Sequence, residues 1–212
     1  MHPLPICAIR CQNVGLSRGS TSVFMGVNFE LHPANILIIQ GENGSGKTSL
    51  LRVIGGFSQS FSGMIQHCFD TKNWINGSPT GNIGWLGHAN AIKDELTVFE
   101  NLKFWLPKAV PKEKIDLVME KVQIKTLRHQ RSYSLSAGER RRLALARLLL
   151  GRHPLWILDE PSANLDIEGR KLIEQLLAEH TARRGSAIIA SHDRLRPDAP
   201  TSYIKLHTGH RA

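Results

Sequence analysis

The chain has 212 residues, carries a formal net charge of +9, and is 41% apolar and 21% charged, proportions ordinary for one well-packed globular domain. No run approaches the ~18 apolar residues that a membrane-spanning helix needs. Met1-His2-Pro3-Leu4-Pro5 has neither the basic nor the apolar region of a signal peptide, so the chain is expected to stay where it is made. Three cysteines, an odd number, argue against a disulfide framework. Cys7 and Cys11 would share a strand face about 13 Å apart, too far to bridge, so reduced and buried thiols are expected. The positive charge suits an acidic partner, nucleic acid or anionic lipid. The basic residues are scattered, however, and the dense cluster Arg140-Arg141-Arg142 opens a helix, so most of this charge reads as a solvated face.

In chain order, Ile6 to Cys11 and Val27 to Leu31 alternate as strands do, and Ile36 to Gln40 reads as a fully buried strand. A helical run, Ser49 to Ile54, follows Gly41-Glu42-Asn43-Gly44-Ser45-Gly46-Lys47-Thr48, and Gly55-Gly56 closes it. Phe61 to Gln66 is a short strand, and Asp70 to Gly81, rich in Asn, Gly, Ser and Pro, is a surface loop. Asn82 to Leu86 is a strand ending at Gly87-His88. Thr97-Val98-Phe99-Glu100 opens a helix with a capping box, and Pro107 and Pro111 break the run, Pro111 serving the first turn of a helix from Lys112 to Val122. A second capping box, Ser136 to Glu139, precedes a helix from Arg140 to Leu150. Leu155 to Leu158 is a buried strand delivering Asp159-Glu160; Ile167 to Arg183 is an amphipathic helix; Ala187 to Ala190 is a last buried strand carrying Ser191-His192. Strands alternating with helices imply a largely parallel sheet with ligands at the strands' C-terminal ends. The loop at 41–48, Asp159-Glu160 and His192 all follow strands and can therefore converge.

The stretch Gly41 to Thr48 fits G-x-x-x-x-G-K-[S/T], the phosphate-binding loop. Its glycines let successive N–H groups turn toward one anion, and the following helix adds the positive end of its dipole. Lys47 would reach the β- and γ-phosphates of ATP, and the Thr48 hydroxyl would sit on Mg²⁺. An apolar strand ending in Asp-Glu would place the Asp159 carboxylate beside that ion and leave Glu160 to polarise the attacking water. Both acids also fit solvated residues at a strand end; the phosphate loop upstream favours the catalytic assignment.

Leu135-Ser136-Ala137-Gly138-Glu139 resembles the L-S-G-G-Q signature of ATP-binding-cassette (ABC) ATPases and precedes the Asp-Glu pair as it does in that family. Ser162-Ala163-Asn164-Leu165-Asp166 looks like the family's D-loop, and His192 like its switch histidine. The resemblance runs through nearly the whole chain. It implies an α/β fold of the P-loop NTPase class: a mainly parallel sheet, an antiparallel N-terminal β part, and a helical subdomain at about 94–150 within a single domain, 1–212. It also implies that Gly41 to Ser49 hold ATP, and that Ser136, Ala137, Gly138, Glu139 and Asp166 cover the ATP of a second copy, two nucleotides being sandwiched head to tail. Hydrolysis then parts the copies and drives a membrane partner.

The pattern is broken in three places. Ala137 and Glu139 replace the signature's Gly and Gln but keep the backbone donors. Arg18 stands where the family has a stacking Tyr, and its guanidinium plane can lie over adenine or serve an unrelated surface role. His88 stands where the family has the Gln that contacts Mg²⁺ and water. Leu86-Gly87-His88, Ile92 to Thr97, Glu100-Asn101-Leu102 and Pro154 to Pro161 look like one subfamily, the ATP-binding subunits of the haem exporters of cytochrome c biogenesis. That resemblance implies a peripheral ATPase on the cytoplasmic face of a bacterial inner membrane, with integral membrane export subunits as partners. Haem is not expected on this chain, whose ten histidines show no ligand pattern, and no nucleic-acid partner is expected. The alternatives are the ATPase of another small exporter, for lipoproteins or lipids, or a nucleic-acid- or ribosome-associated ATPase of the same fold. The latter typically carry two cassettes or an inserted coiled coil, which this chain lacks.

Overall fold

The structure is a computed structural model that describes residues 3–58, 62–69, 73–76, 82–106, 110–193 and 195–207. Its centre is a five-stranded parallel sheet built from β3 (Ile36–Gln40), β6 (Ile83–Leu86), β7 (Leu155–Asp159), β8 (Ser186–Ala190) and β9 (Thr201–Lys205), in the order β6-β7-β8-β3-β9. β7 and β8 are buried at every position, as continuous apolar runs covered on both faces must be. Against this sheet lies an antiparallel one in the order β2-β1-β4-β5, made of β1 (Ala8–Arg18), β2 (Thr21–Leu31), β4 (Ser62–Cys68) and β5 (Ile75–Asn76). The inner face of the antiparallel sheet and α1 (Lys47–Ile54) share one apolar core with Leu37, Ile39, Ile157 and Ile188.

The other face of the parallel sheet packs on helices. α2 (Val98–Phe104), α3 (Lys112–Lys121), α4 (Ala137–Leu150) and α5 (Ile167–Ala182) bury Leu102, Met119, Leu145 and Ile173 in a second core with Leu86 and Leu158. Both expected capping boxes are present: Thr97 with Glu100, and Ser136 with Glu139, side chain to backbone in each direction. At the end of α1, Gly56 turns left-handed (φ +74°), and Phe57 N–H returns to Arg52 O at 2.8 Å.

The hairpin strands β1 and β2 run further than periodicity predicts, because register shifts near Asn13–Leu16 interrupt the alternation. β9 was not anticipated: it is short, half exposed and at the sheet edge, so no apolar run marks it. α4 starts at Ala137 rather than Arg140, and Pro111 caps α3 from outside its first turn (ψ 145°). The break at Pro107, Phe61, and residues 70–72 and 77–81 of the expected surface loop lie outside the described residues. All three cysteines are buried, none of them in a disulfide, and burial pushes the Cys7 and Cys11 thiols up to about 12, which leaves them inert.

Candidate functional site

Four neighbouring parallel strands end on the same side of the sheet, and each delivers part of one cleft. β6 leads to His88, β7 to Asp159 and Glu160, β8 to His192, and β3 to the loop at 41–48. The cleft encloses about 750 Å³, and its walls include Arg18, Asn43, Gly44, Gly46 to Ser49, His88, Asp159, Glu160 and His192. Gly41, Glu42 and Ser45 do not line it; they form the turn behind the wall. Gly46 takes φ +94°, and a Cβ there would come within 2.7 Å of Val23 Cγ1, so the loop passes β2 only as glycine.

The loop lysine is folded back onto its own turn. Lys47 Nζ donates to Gly41 O (2.8 Å) and Glu42 O (3.0 Å) and lies 3.1 Å from His192 Nε2. Thr48 Oγ1 donates to Asp159 Oδ2 at 2.8 Å, so a hydroxyl and a carboxylate oxygen sit side by side at the base of the cleft. Glu160 accepts from the His192 backbone N–H (3.2 Å), and its other oxygen lies 3.4 Å from His192 Nε2. The imidazole thus stands between an ammonium and a carboxylate, which fits a residue that senses what occupies the space between them. Arg18 reaches Ser49 Oγ at 3.4 Å from the end of β1.

The signature residues lie elsewhere. Ser136 to Glu139 form a separate open concavity with Arg142 and Asn164 to Asp166. Its acids are already engaged: Glu139 accepts from Ser136 N–H (2.7 Å), and Asp166 caps α5 through Gly169 N–H (2.8 Å) with Arg142 3.6 Å away. A third surface, beside α2, holds a shallow groove lined by Ile92, Leu102, Trp105 and Arg147. Phe104 and Trp105 are exposed there, with Lys93 over one ring and Arg147 over the other. Phe99 instead packs inward under Arg128.

Two features escaped the sequence reading. Thr21, Ser22 and Val23 complete the cleft wall; the turn signal at Gly19, which joins β1 to β2, was the clue. The second is Arg141. The basic cluster reads as a solvated face, yet Arg141 is only 2% exposed and buried behind the cleft.

The ABC transporter family model matches residues 24–163. Proteins named "Cytochrome c biogenesis ATP-binding export protein CcmA" are 36% identical to the chain in Paracoccus denitrificans, over 85% of this chain and 80% of that protein, and in Methylococcus capsulatus, over 92% and 94%. The Arabidopsis thaliana protein "ABC transporter I family member 1" is also 36% identical, over 85% and 80%. The fold is shared with the dimeric ATP-binding cassette MJ0796 bound to ADP and Pi, at a TM-score of 0.78, 21% identity and 94% coverage of each chain. The chain belongs to the ABC transporter family, as a CcmA-like ATP-binding subunit that hydrolyses ATP.

Proposed function

We propose that this ATPase couples hydrolysis to the export or loading of haem in c-type cytochrome biogenesis, as a peripheral subunit on the cytoplasmic face of a bacterial inner membrane. The whole chain, 1–212, acts as one ABC ATPase domain with its helical subdomain at about 94–150. The observation that carries this reading is the 36% identity to CcmA proteins over most of both chains; the head-to-tail arrangement is supported by the phosphate cleft and the signature concavity being separate surfaces. A triphosphate held by one copy's Gly41 to Ser49 is then covered by the N-terminus of the other copy's α4, with Ser136, Ala137, Gly138, Glu139 and Asp166 at the seam. Arg18 serves the adenine end.

In the cleft, Glu160 takes the proton of the attacking water, and His192 stabilises the γ-phosphate beside Lys47. The residues present fit Mg²⁺: Thr48 and Asp159 offer hard oxygen donors 2.8 Å apart. They would hold the ion, with His88 on the same wall. Bound Mg²⁺ would neutralise charge on the β- and γ-phosphates. Haem itself is handled by the membrane partners, not by this chain, and no nucleic acid is involved.

The groove beside α2, with Phe104 and Trp105 exposed at 55% and 50%, is the docking surface for the membrane subunit. Affinity purification from membranes should recover an integral membrane export protein, and a charged residue at Trp105 should abolish that recovery while leaving soluble ATPase activity intact. In cells lacking the gene, wild-type protein should restore haem-stained c-type cytochromes and Lys47→Ala should not. Normal cytochromes with a failure of lipoprotein export would replace haem with the other cargo.

A further inference from the structure

Arg141 lies in the second turn of α4, buried, and every one of its five N–H groups has an acceptor. Nε donates to Pro161 O (3.0 Å), Nη1 to Gly87 O (2.8 Å) and Asn90 Oδ1 (2.9 Å), and Nη2 to Asp159 O (2.8 Å) and Glu160 O (2.6 Å). A buried cation without partners is strongly destabilising, so full satisfaction is the condition for its being there. Burial lowers its pKa to about 10, against the pull of Asp159 and Glu160, so it stays charged at neutral pH.

The acceptors are what make this residue more than a core filler. Three successive carbonyls, 159 to 161, converge on one guanidinium, and the middle residue sits in the left-handed region at φ +46°. A non-glycine there is strained and persists only where its surroundings hold it. The same guanidinium grips Gly87 and Asn90, the residues flanking the His88 turn. Lysine, with three donors on one atom and no planar fork, cannot reproduce the pattern.

We infer that Arg141 is a positioning residue for hydrolysis: from the helix whose N-terminus carries the signature, it holds the strained Glu160 backbone and the His88 turn in the geometry the water-activating carboxylate requires. The inference rests on the reading that Glu160 is the base. Nucleotide affinity should depend on it far less than turnover does, because none of its contacts is to residues 41–49 and it touches Asp159 only at the backbone carbonyl, leaving the carboxylate on Thr48.

The test uses wild type, Arg141→Lys, Glu160→Gln and the double variant, measuring ATPase kcat, the Kd of a fluorescent ATP analogue, and Tm. Arg141→Lys should lower kcat by about tenfold or more with Kd essentially unchanged, and the double variant should turn over no more slowly than Glu160→Gln alone. An unchanged kcat, a parallel fall of affinity and rate with Tm, or multiplicative losses in the double variant would each overturn the inference. If Arg141→Lys does not fold, Asn90→Ala removes a single acceptor. A several-fold loss of kcat at wild-type Kd then supports the inference, and wild-type kcat sinks it. Normal turnover by Glu160→Gln alone removes the base assignment, and this inference with it.

Discussion

The phosphate cleft and the signature concavity are both built on the N-terminus of a helix, yet they differ in what stands around it. The cleft has a buried lysine, two acids and two histidines, delivered by four adjacent strand ends. The concavity has neither lysine nor histidine on its walls; its cation, Arg142, is turned to Val122 O, Gln123 Oε1 and Asp166, and the carboxylates of Glu139 and Asp166 cap their own helices. Backbone donors alone hold an anion weakly; with a cation and a metal-binding pair they hold a triphosphate. This difference fits the proposed sandwich, in which one surface binds nucleotide and the other is presented with nucleotide already bound.

The largest effect should come from removing chemistry at the first surface without removing binding. Glu160→Gln should lower kcat by roughly 10²–10⁴-fold, the usual range for a general base. ATP affinity should be retained and a nucleotide-bound dimer should accumulate, read by size-exclusion chromatography. Lys47→Ala should do the opposite and abolish detectable ATP binding. Equal losses of binding in both variants would erase the division of labour within the cleft.

A second substitution addresses the other surface. Gly138 lies against Asn164 O, at 3.0 Å from where a Cβ would be. Gly138→Asp puts an anion where the partner's triphosphate is expected, and like charges so placed cost about several kcal/mol. The single chain should bind ATP as before, while the dimer trapped by Glu160→Gln is lost and turnover falls by about tenfold or more. Turnover unaffected by Gly138→Asp would mean that each cleft works alone.

How much of this contrast was legible beforehand differs between the surfaces. The cleft's main residues could be named from sequence because each follows a short apolar run, and a parallel sheet sends such ends to one side. The start of α4 was legible because a capping box is a local pattern, whereas the grouping of Ser136–Glu139 with Asp166 came from the resemblance to the ABC signature and D-loop. What sequence concealed was burial that depends on distant partners. In the sequence Arg141 looks like its neighbours Arg140 and Arg142, which are only partly buried; the turns at 87–90 and 159–161, brought together by β6 and β7, give it acceptors. The edge strand β9 and the wall at Thr21–Val23 were missed for the same reason, since their roles come from neighbours rather than from periodicity.

Acid should weaken the fold as a whole without acting through either surface. His180 is buried on α5, stacked 3.8 Å from Trp156, with Nε2–H donating to Ser186 O. Burial, with smaller contributions from Arg183 and His153, lowers its pKa from 6.5 to about 4. Above pH 6.5 the ring is neutral in both folded and unfolded chains, and its contribution is complete. Between 6.5 and about 4 only the unfolded chain takes the proton, so stability falls as pH drops through that window. The loss from this residue saturates at about 3 kcal/mol. Denaturant melts at several pH values should show it, and His180→Phe, though it loses the hydrogen bond to Ser186 O, should lose that part of the acid slope. Equal slopes in the two proteins would assign the acid sensitivity elsewhere.

The smallest effect separates the two ends of the cleft. Arg18 reaches Ser49 Oγ from the β1–β2 hairpin, close enough to the loop to serve phosphate and exposed enough to cover a base. A guanidinium stacked on an aromatic face contributes about 0.5–1 kcal/mol at an exposed site, so Arg18→Ala should weaken nucleotide binding by only about two- to fivefold. Adenine is common to ATP and ADP, and a stacking role predicts the same factor for both. It also predicts rescue by Arg18→Tyr, whose ring stacks without any charge. A phosphate role predicts a larger loss for ATP than for ADP, a steep dependence on salt, and no rescue by tyrosine. Titration of both nucleotides against the three proteins, at two ionic strengths, decides which end of the cleft Arg18 belongs to.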